Sequence, residues 1–234
     1  MAKISKSKLT KLEIVQVATR MFLEKGYTGT TSKAISDELE ISKGNLTFHY
    51  PTKEHLLAVL VDMLCSFQWE LMEREADEGI SSVMAICLEL MSMASVCETD
   101  EVARDFFVSA YQSPMSLEII RRNDKERAKL VFAQYCEGWS DEQFAEAEIL
   151  VSGIEYATLM TTGDSVPLDL RITGALNQIL SIYNIPEETR KSKLEKVMKY
   201  DYKTIGSRIL KEFIEYVEEV NDHAFDELIQ NAKK

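Results

Sequence analysis

Hydrophobic residues near the start of this chain recur at helical spacing, with clear punctuation between the repeats. Ile14, Val17, Ala18, Met21 and Phe22 stand three and four apart and make one apolar stripe. Thr10 and Glu13 are spaced as a capping box, Leu9 and Ile14 as a hydrophobic staple, and Gly26 follows Lys25 as a stop, which predicts a helix over 10–25. Thr31 suits the N-cap of a second helix whose Ile35 and Leu39, four apart, face inward. Glu40 and Ile41 make a turn, and Ser42 can cap a third helix that runs to about Tyr50, where Pro51 ends it. In that third helix Leu46 and Tyr50 share the inner face, while Asn45 and His49 share another.

The rest of the chain repeats the helical period in longer pieces. A helix from Thr52 carries Leu56, Leu60, Met63 and Phe67 on one line and Leu57, Leu64 and Leu71 beside it, to about Gly79. Further helices are expected over 81–96, 100–112, 116–136, 141–162, 168–183, 187–200 and 204–230, with breaks at Ser113-Pro114, Gly138, residues 163–167 and Ile185-Pro186. No alternating strand pattern, internal repeat or low-complexity tract interrupts them. Nine glycines and four prolines in 234 residues fit the same all-α class.

Charge changes the picture more than composition does. The net charge of −12 is unevenly placed: residues 1–53 hold nine Lys and Arg against five Asp and Glu, and the remainder 18 against 34. The only net-basic end is therefore the end with two short helices joined by a tight turn, the layout of a helix-turn-helix. An acidic remainder is repelled by nucleic acid and leaves that module to approach phosphates. No apolar run reaches the roughly 18 residues of a membrane span, and the amino terminus lacks a signal-peptide core, so no membrane partner and a cytoplasmic location are expected. Cys65, Cys87, Cys97 and Cys136 have no Cys-x-x-Cys spacing and read as buried reduced thiols, with redox sensing the alternative. His49, His55 and His223 are scattered, so neither a metal site, a cofactor nor a catalytic cluster is expected.

The order and spacing of Phe22, Gly26, Tyr27, Thr30, Thr31, Ile35, Ile41, Ser42, Gly44, Leu46, Phe48, Tyr50, Lys53, Glu54 and Leu56 resembles the TetR family of transcriptional regulators. The resemblance covers about 50 residues; the remaining 180 or so add a compatible helical pattern. It implies a three-helix DNA-binding head over 1–53 joined through a fourth helix to a helical effector-binding and dimerisation body over 54–234. The chain departs from the family pattern at Ser36 and Leu39, which replace alanines, at Glu40, where a Gly usually makes the turn, and at Thr47, which replaces a tyrosine that commonly touches phosphate.

On this reading Thr31 and Lys53 position the head on phosphate, and Lys3, Lys6, Lys8 and Lys43 add charge neutralisation. Asn45 is the leading candidate for base edges because its amide can pair with adenine N6 and N7, followed by Thr47 and His49, while Gly44 lets the helix backbone approach closely and Ser42 is a further candidate DNA contact at the helix start. Thr31 and Ser42 also read as ordinary caps, and Asn45 and His49 as solvated or head-packing residues. The resemblance points to helices 141–162 and 168–183 as the homodimer contact, with Ala147, Gly153 and Ala157 allowing close approach and Ile172, Leu176, Ile179 and Tyr183 repeating at three and four; the alternative is that they build the monomer core. Met63, Phe67, Met91, Phe107 and Tyr111 are candidates to line a pocket for a small hydrophobic effector, although core packing explains the same composition. The acidic body mildly favours a neutral or cationic apolar ligand over an anion. The expected function is a ligand-responsive repressor released from a two-half-site operator on double-stranded DNA. An architectural or protein-binding module, or an all-helical enzyme, are the alternatives.

Overall fold

The computed structural model describes residues 6–162 and 164–233, without the side chains of Ala76 and residues 231–233. They form eleven helices: α1 Lys6–Lys25, α2 Ser32–Glu38, α3 Lys43–His49, α4 Lys53–Asp77, α5 Ser82–Thr99, α6 Glu101–Gln112, α7 Pro114–Val131, α8 Asp141–Leu159, α9 Leu168–Ile182, α10 Glu187–Val197 and α11 Tyr202–Lys233. No strand occurs among the described residues, so the all-α expectation holds.

Helix α1 starts four residues before Thr10, which corrects the proposed capping box. Thr10 is buried inside the helix instead of capping it, because the helical path continues back through Lys8 and Lys6. At its other end Gly26 takes φ +80, as the stop signal required. Ile14, Ala18, Met21 and Phe22 from α1 meet Ile35 of α2, Leu46 of α3 and Leu56 and Leu57 of α4 in a dry head core.

Helix α7 is shorter than expected and ends at Val131. The chain turns there so that the Phe132 ring stacks on Tyr183, centroids 4.0 Å apart and planes at 7°. Ser113 caps α7 with Pro114 in its first turn, so the anticipated break is also a helix start. Helix α5 is the body's central post, packed by α4, α6, α8, α9, α10 and α11. Helices α4 and α5 contain windows long and apolar enough by composition to cross a membrane, which the sequence reading missed; more than half of each window is buried within this fold.

Helix α11 reaches across the molecule. Phe213 sits between the rings of Phe67 and Phe106, and Gly206 brings its backbone so close to α5 that a Cβ there would lie 2.8 Å from the Ser92 carbonyl oxygen. Towards its end α11 lies on α1, where the Asn221 amide donates to Thr19 Oγ1 at 3.1 Å in a buried contact. The apolar stripe of this helix is thus covered by its own body and head. All four cysteines are buried free thiols, and burial pushes the Cys87 and Cys97 thiols up to about 12.

Candidate nucleic-acid interface

Two seven-residue helices joined by the four residues 39–42 build the candidate nucleic-acid face. Thr31 caps α2 by accepting from the Ala34 N–H at 3.0 Å, and Ser42 caps α3 by accepting from the Asn45 N–H at 3.1 Å. Each hydroxyl spends an acceptor lone pair on the cap and keeps its O–H for an outside partner. The turn places Glu40 at φ 52, so the position where the family uses glycine does adopt the left-handed region. That conformation costs a residue with a Cβ about 1 kcal/mol relative to glycine.

On α3 the expected division of faces is observed. Leu46 and Tyr50 are buried, whereas Ser42, Lys43, Gly44 and Asn45 are exposed and Thr47 and His49 half-exposed. Thr47 Oγ1 donates back to the carbonyls of Lys43 and Gly44, at 3.1 and 3.2 Å, so its proton is already used within the helix. Phe48 is 78% exposed beside His49, with the two rings edge to face at 5.2 Å. It was read only as part of the family pattern, and an exposed ring on a recognition helix can contact a thymine methyl. Lys6 and Lys8 are exposed at the start of α1; Lys3 lies outside the described residues.

Lys53 is committed inside the protein. Its Nζ donates to the carbonyls of Tyr27 and Thr30 at 2.7 and 2.8 Å and lies 3.9 Å from the Tyr27 ring centroid. One of its three N–H groups is left for a phosphate. Burial lowers the Lys53 ammonium pKa and, with Glu54 and Asp105 nearby, raises the Tyr27 phenol to about 12. The same 26–30 loop is held from the other side by Asp105 of α6, whose two oxygens accept from the Thr28 N–H and Oγ1–H, both at 2.8 Å. A Cβ at Gly26 would lie 2.6 Å from that carboxylate, so glycine is needed for the approach as well as for φ. Asp105 carried no signal in the sequence, because its partner lies 77 residues away.

Residues 14–60 match the family of bacterial regulatory proteins, tetR family. The module over residues 14–60 is therefore of the TetR type. The chain is 34% identical over 69 residues to the biofilm operon icaADBC HTH-type negative transcriptional regulator IcaR of Staphylococcus epidermidis, covering 30% of this chain and 37% of that one. Over 51 residues it is 40% identical to the HTH-type transcriptional regulator QacR of Staphylococcus aureus, covering 22% and 27%. The matched stretches thus span well under half of these curated relatives. A crystal structure of a gamma-butyrolactone receptor (ArpA like protein) covers 89% of this chain and all of that one at 19% identity and a TM-score of 0.43.

Behind the TetR-type head, the expected effector residues do not gather in one place. Phe67 and Phe107 line an apolar cavity of about 30 Å³ between α4, α5, α6 and α11. Tyr111 instead donates from its hydroxyl to Glu155 at 2.9 Å, at the edge of a second cavity of about 30 Å³ enclosed by α5, α7, α8 and α9. Met63 and Met91 line neither of these two. The two cavities share Glu89 in their walls.

The proposed dimer helices need a correction of detail. Ile172, Leu176, Ile179, Tyr183 and Ala147 are buried within the monomer, since their three-and-four stripe packs on the subunit's own helices. Gly153 and Ala157 remain exposed, alongside Ile149 and Leu150 at 55% each, Met160, Val166 and Leu170 at 64%. An apolar face of that kind, with two residues lacking bulk, suits a helix–helix contact with a second copy.

Proposed function

We propose that the chain is a ligand-responsive DNA-binding transcriptional regulator, a homodimer that represses by occupying a two-half-site operator and releases it when a small effector enters the body. The observation that carries this is α3: a capped helix presenting Lys43, Asn45 and Phe48 outward from the only net-basic part of an acidic chain. One such helix offers few base contacts, so two heads related by a two-fold axis are required for specificity. The apolar face of α8 and α9 provides the axis. Control then runs through elements that touch both ends. Helix α11 walls the apolar cavity with Gly206, Ile209, Leu210 and Phe213 and holds α1 through Asn221, while α6 supplies Phe107 to the cavity and Asp105 to the 26–30 loop. A ligand that favours a displaced α6 or α11 thereby favours a different head spacing.

Selection of bound sequences from a random duplex library tests the reading. The purified chain should enrich a palindrome, with affinity falling steeply as salt rises. Asn45→Ala should weaken that site by about 1–3 kcal/mol and relax preference at one position per half-site. Equal binding to all duplexes removes the proposal. The cytoplasmic location and the absence of enzymatic activity follow from this reading.

A further inference from the structure

Four carboxyl groups of the body converge on one cavity, and one of them, Glu148, is fully buried. Glu89 on α5, Asp124 on α7 and Glu148 and Glu155 on α8 face one cavity, and the cation among its lining residues is Arg127. Arg127, 4% exposed, forks onto both oxygens of Glu89, with Nη1 at 3.1 Å from Oε1, and reaches Asp124 at 3.5 Å. That leaves Glu148 and Glu155 facing phenols: Tyr183 donates to Glu148 Oε1 and Tyr111 to Glu155 Oε2. Glu148 is 2% exposed, yet its second oxygen, Oε2, has no hydrogen-bond partner. A buried carboxyl oxygen without a hydrogen-bond partner is costly and calls for an explanation. Across Glu89 the neighbouring cavity is almost wholly apolar, apart from Gln68 and Ser92, and the Ser92 hydroxyl is likewise buried and unpartnered.

We infer that these two adjoining cavities are one effector site, and that it takes an organic cation with a flat or aliphatic apolar body. The cationic group pairs with Glu148 and Glu155, and the apolar part extends past Glu89 among Phe67, Met93, Phe107 and Phe213. The inference rests on the regulator reading and adds the ligand's charge to it. A metal ion fits poorly: no group of three or more His, Cys, Asp or Glu among the described residues is placed to hold one. An anion would meet carboxylates on three helices. Each cavity has space for about one water, so the unliganded body is closed and a ligand must displace side chains, Met93 being the most adaptable in the wall.

Proton release is built into such a site. Burial and the neighbouring Asp124 push Glu148 up to about 8, and burial with Asp124 and Glu148 raises Glu155 as well. The groups facing them are Glu89 from α5, Asp124, Arg121 and Arg127 from α7, Tyr111 from α6, Tyr183 from α9 and, next to Glu89, Glu75 from α4. A cation therefore binds with loss of a proton below about pH 8, and its affinity rises with pH.

The full chain should be titrated calorimetrically with three matched probes: biphenyl-4-carboxamidine, biphenyl-4-carboxamide and biphenyl-4-carboxylate. The amidinium should bind at least tenfold tighter than the amide, gain up to tenfold per pH unit from 6 to 8, and lose at least tenfold in Glu148→Gln and in Glu155→Gln, while the amide changes less than threefold. Equal affinity for the three probes, no binding of the amidinium, or amidinium binding unmoved by both variants overturns the inference. Operator binding by the same preparation is scored separately. Specific DNA binding without amidinium selectivity sinks the site and spares the regulator, and amidinium selectivity without specific DNA binding does the reverse.

Discussion

The head and the body treat polar groups in opposite ways. In α1–α3 the buried polar residues are uncharged, Thr10, Thr19 and Ser36, and hydroxyls find partners close by in sequence: Thr19 and Ser36 donate to the Val15 and Ser32 carbonyls, and Thr31 and Ser42 accept from the Ala34 and Asn45 amides. In the body, ionisable groups from helices far apart in sequence are driven together, as Arg127 and Glu89 are across 38 residues. No charged side chain is buried among the described residues of α1–α3. The body gathers ionisable groups inside, where a change of occupant or of protonation has a large effect. The difference suits a device in which one part recognises and the other responds.

The strongest way to break this comparison is to abolish DNA binding from the body alone. Replacing exposed Leu150 on α8 with Glu should place a charge in the proposed dimer face, yield monomers in analytical ultracentrifugation and weaken operator binding by 100-fold or more, about 3 kcal/mol, without unfolding the subunit. A dimer that persists would show that the two heads are paired by another surface.

Cutting the head–body clamp comes next. Asp105→Ala removes a carboxylate acceptor from the Thr28 N–H and hydroxyl, and loss of a charge-assisted pair of this kind costs about 1.5–3 kcal/mol. Thermal unfolding should fall accordingly, and effector should no longer shift operator affinity. Gly26→Ala should be destabilising for a separate reason, since it is strained at φ +80 and meets the same carboxylate.

A subtler contrast lies in pH. Glu148 is raised from 4.5 to about 8, so its neutral form is the one the native body favours. The associated stability is fully present below pH 4.5 and is lost as pH rises towards 8, with Glu75 (about 7) and Asp124 (about 6) acting in the same direction. Melting temperature should therefore decline between pH 5 and 8, and Glu148→Gln should flatten the decline. A head-only change such as Asn45→Ala should leave the slope alone.

The smallest effect is expected at the turn. Glu40→Gly relieves a left-handed φ of 52 and should stabilise the chain by about 0.5–1 kcal/mol, less than the full strain because glycine also loosens the unfolded chain. No gain in thermal unfolding would mean that the turn is held by something other than its own backbone preference.

How far each region was legible follows from the range of its interactions. Caps, turns and the inward face of α3 rest on contacts within a few residues, so Thr31, Ser42, Leu46 and the Glu40 turn could be read directly. Even there, Thr10 was misread as a cap, because the residues preceding it continue the helix. In the body, spacing revealed helices and breaks but not the partner of each face, so Ile172, Leu176 and Ile179 were referred to a dimer when they pack within the subunit. Helical periodicity says that a stripe will be covered; it does not say by what.

The sequence by itself determined the all-helical class, the position of the helix-turn-helix and the segregation of basic charge onto it, because those depend on local periodicity, capping and composition. Only the tertiary structure decided that Lys53 is tied to the 26–30 loop, that Asp105 joins body to head, that α11 spans both, and that Glu89, Asp124, Glu148 and Glu155 converge on one cavity. Those facts depend on which helix faces meet, and that is set by the packing of the whole core rather than by any segment of it.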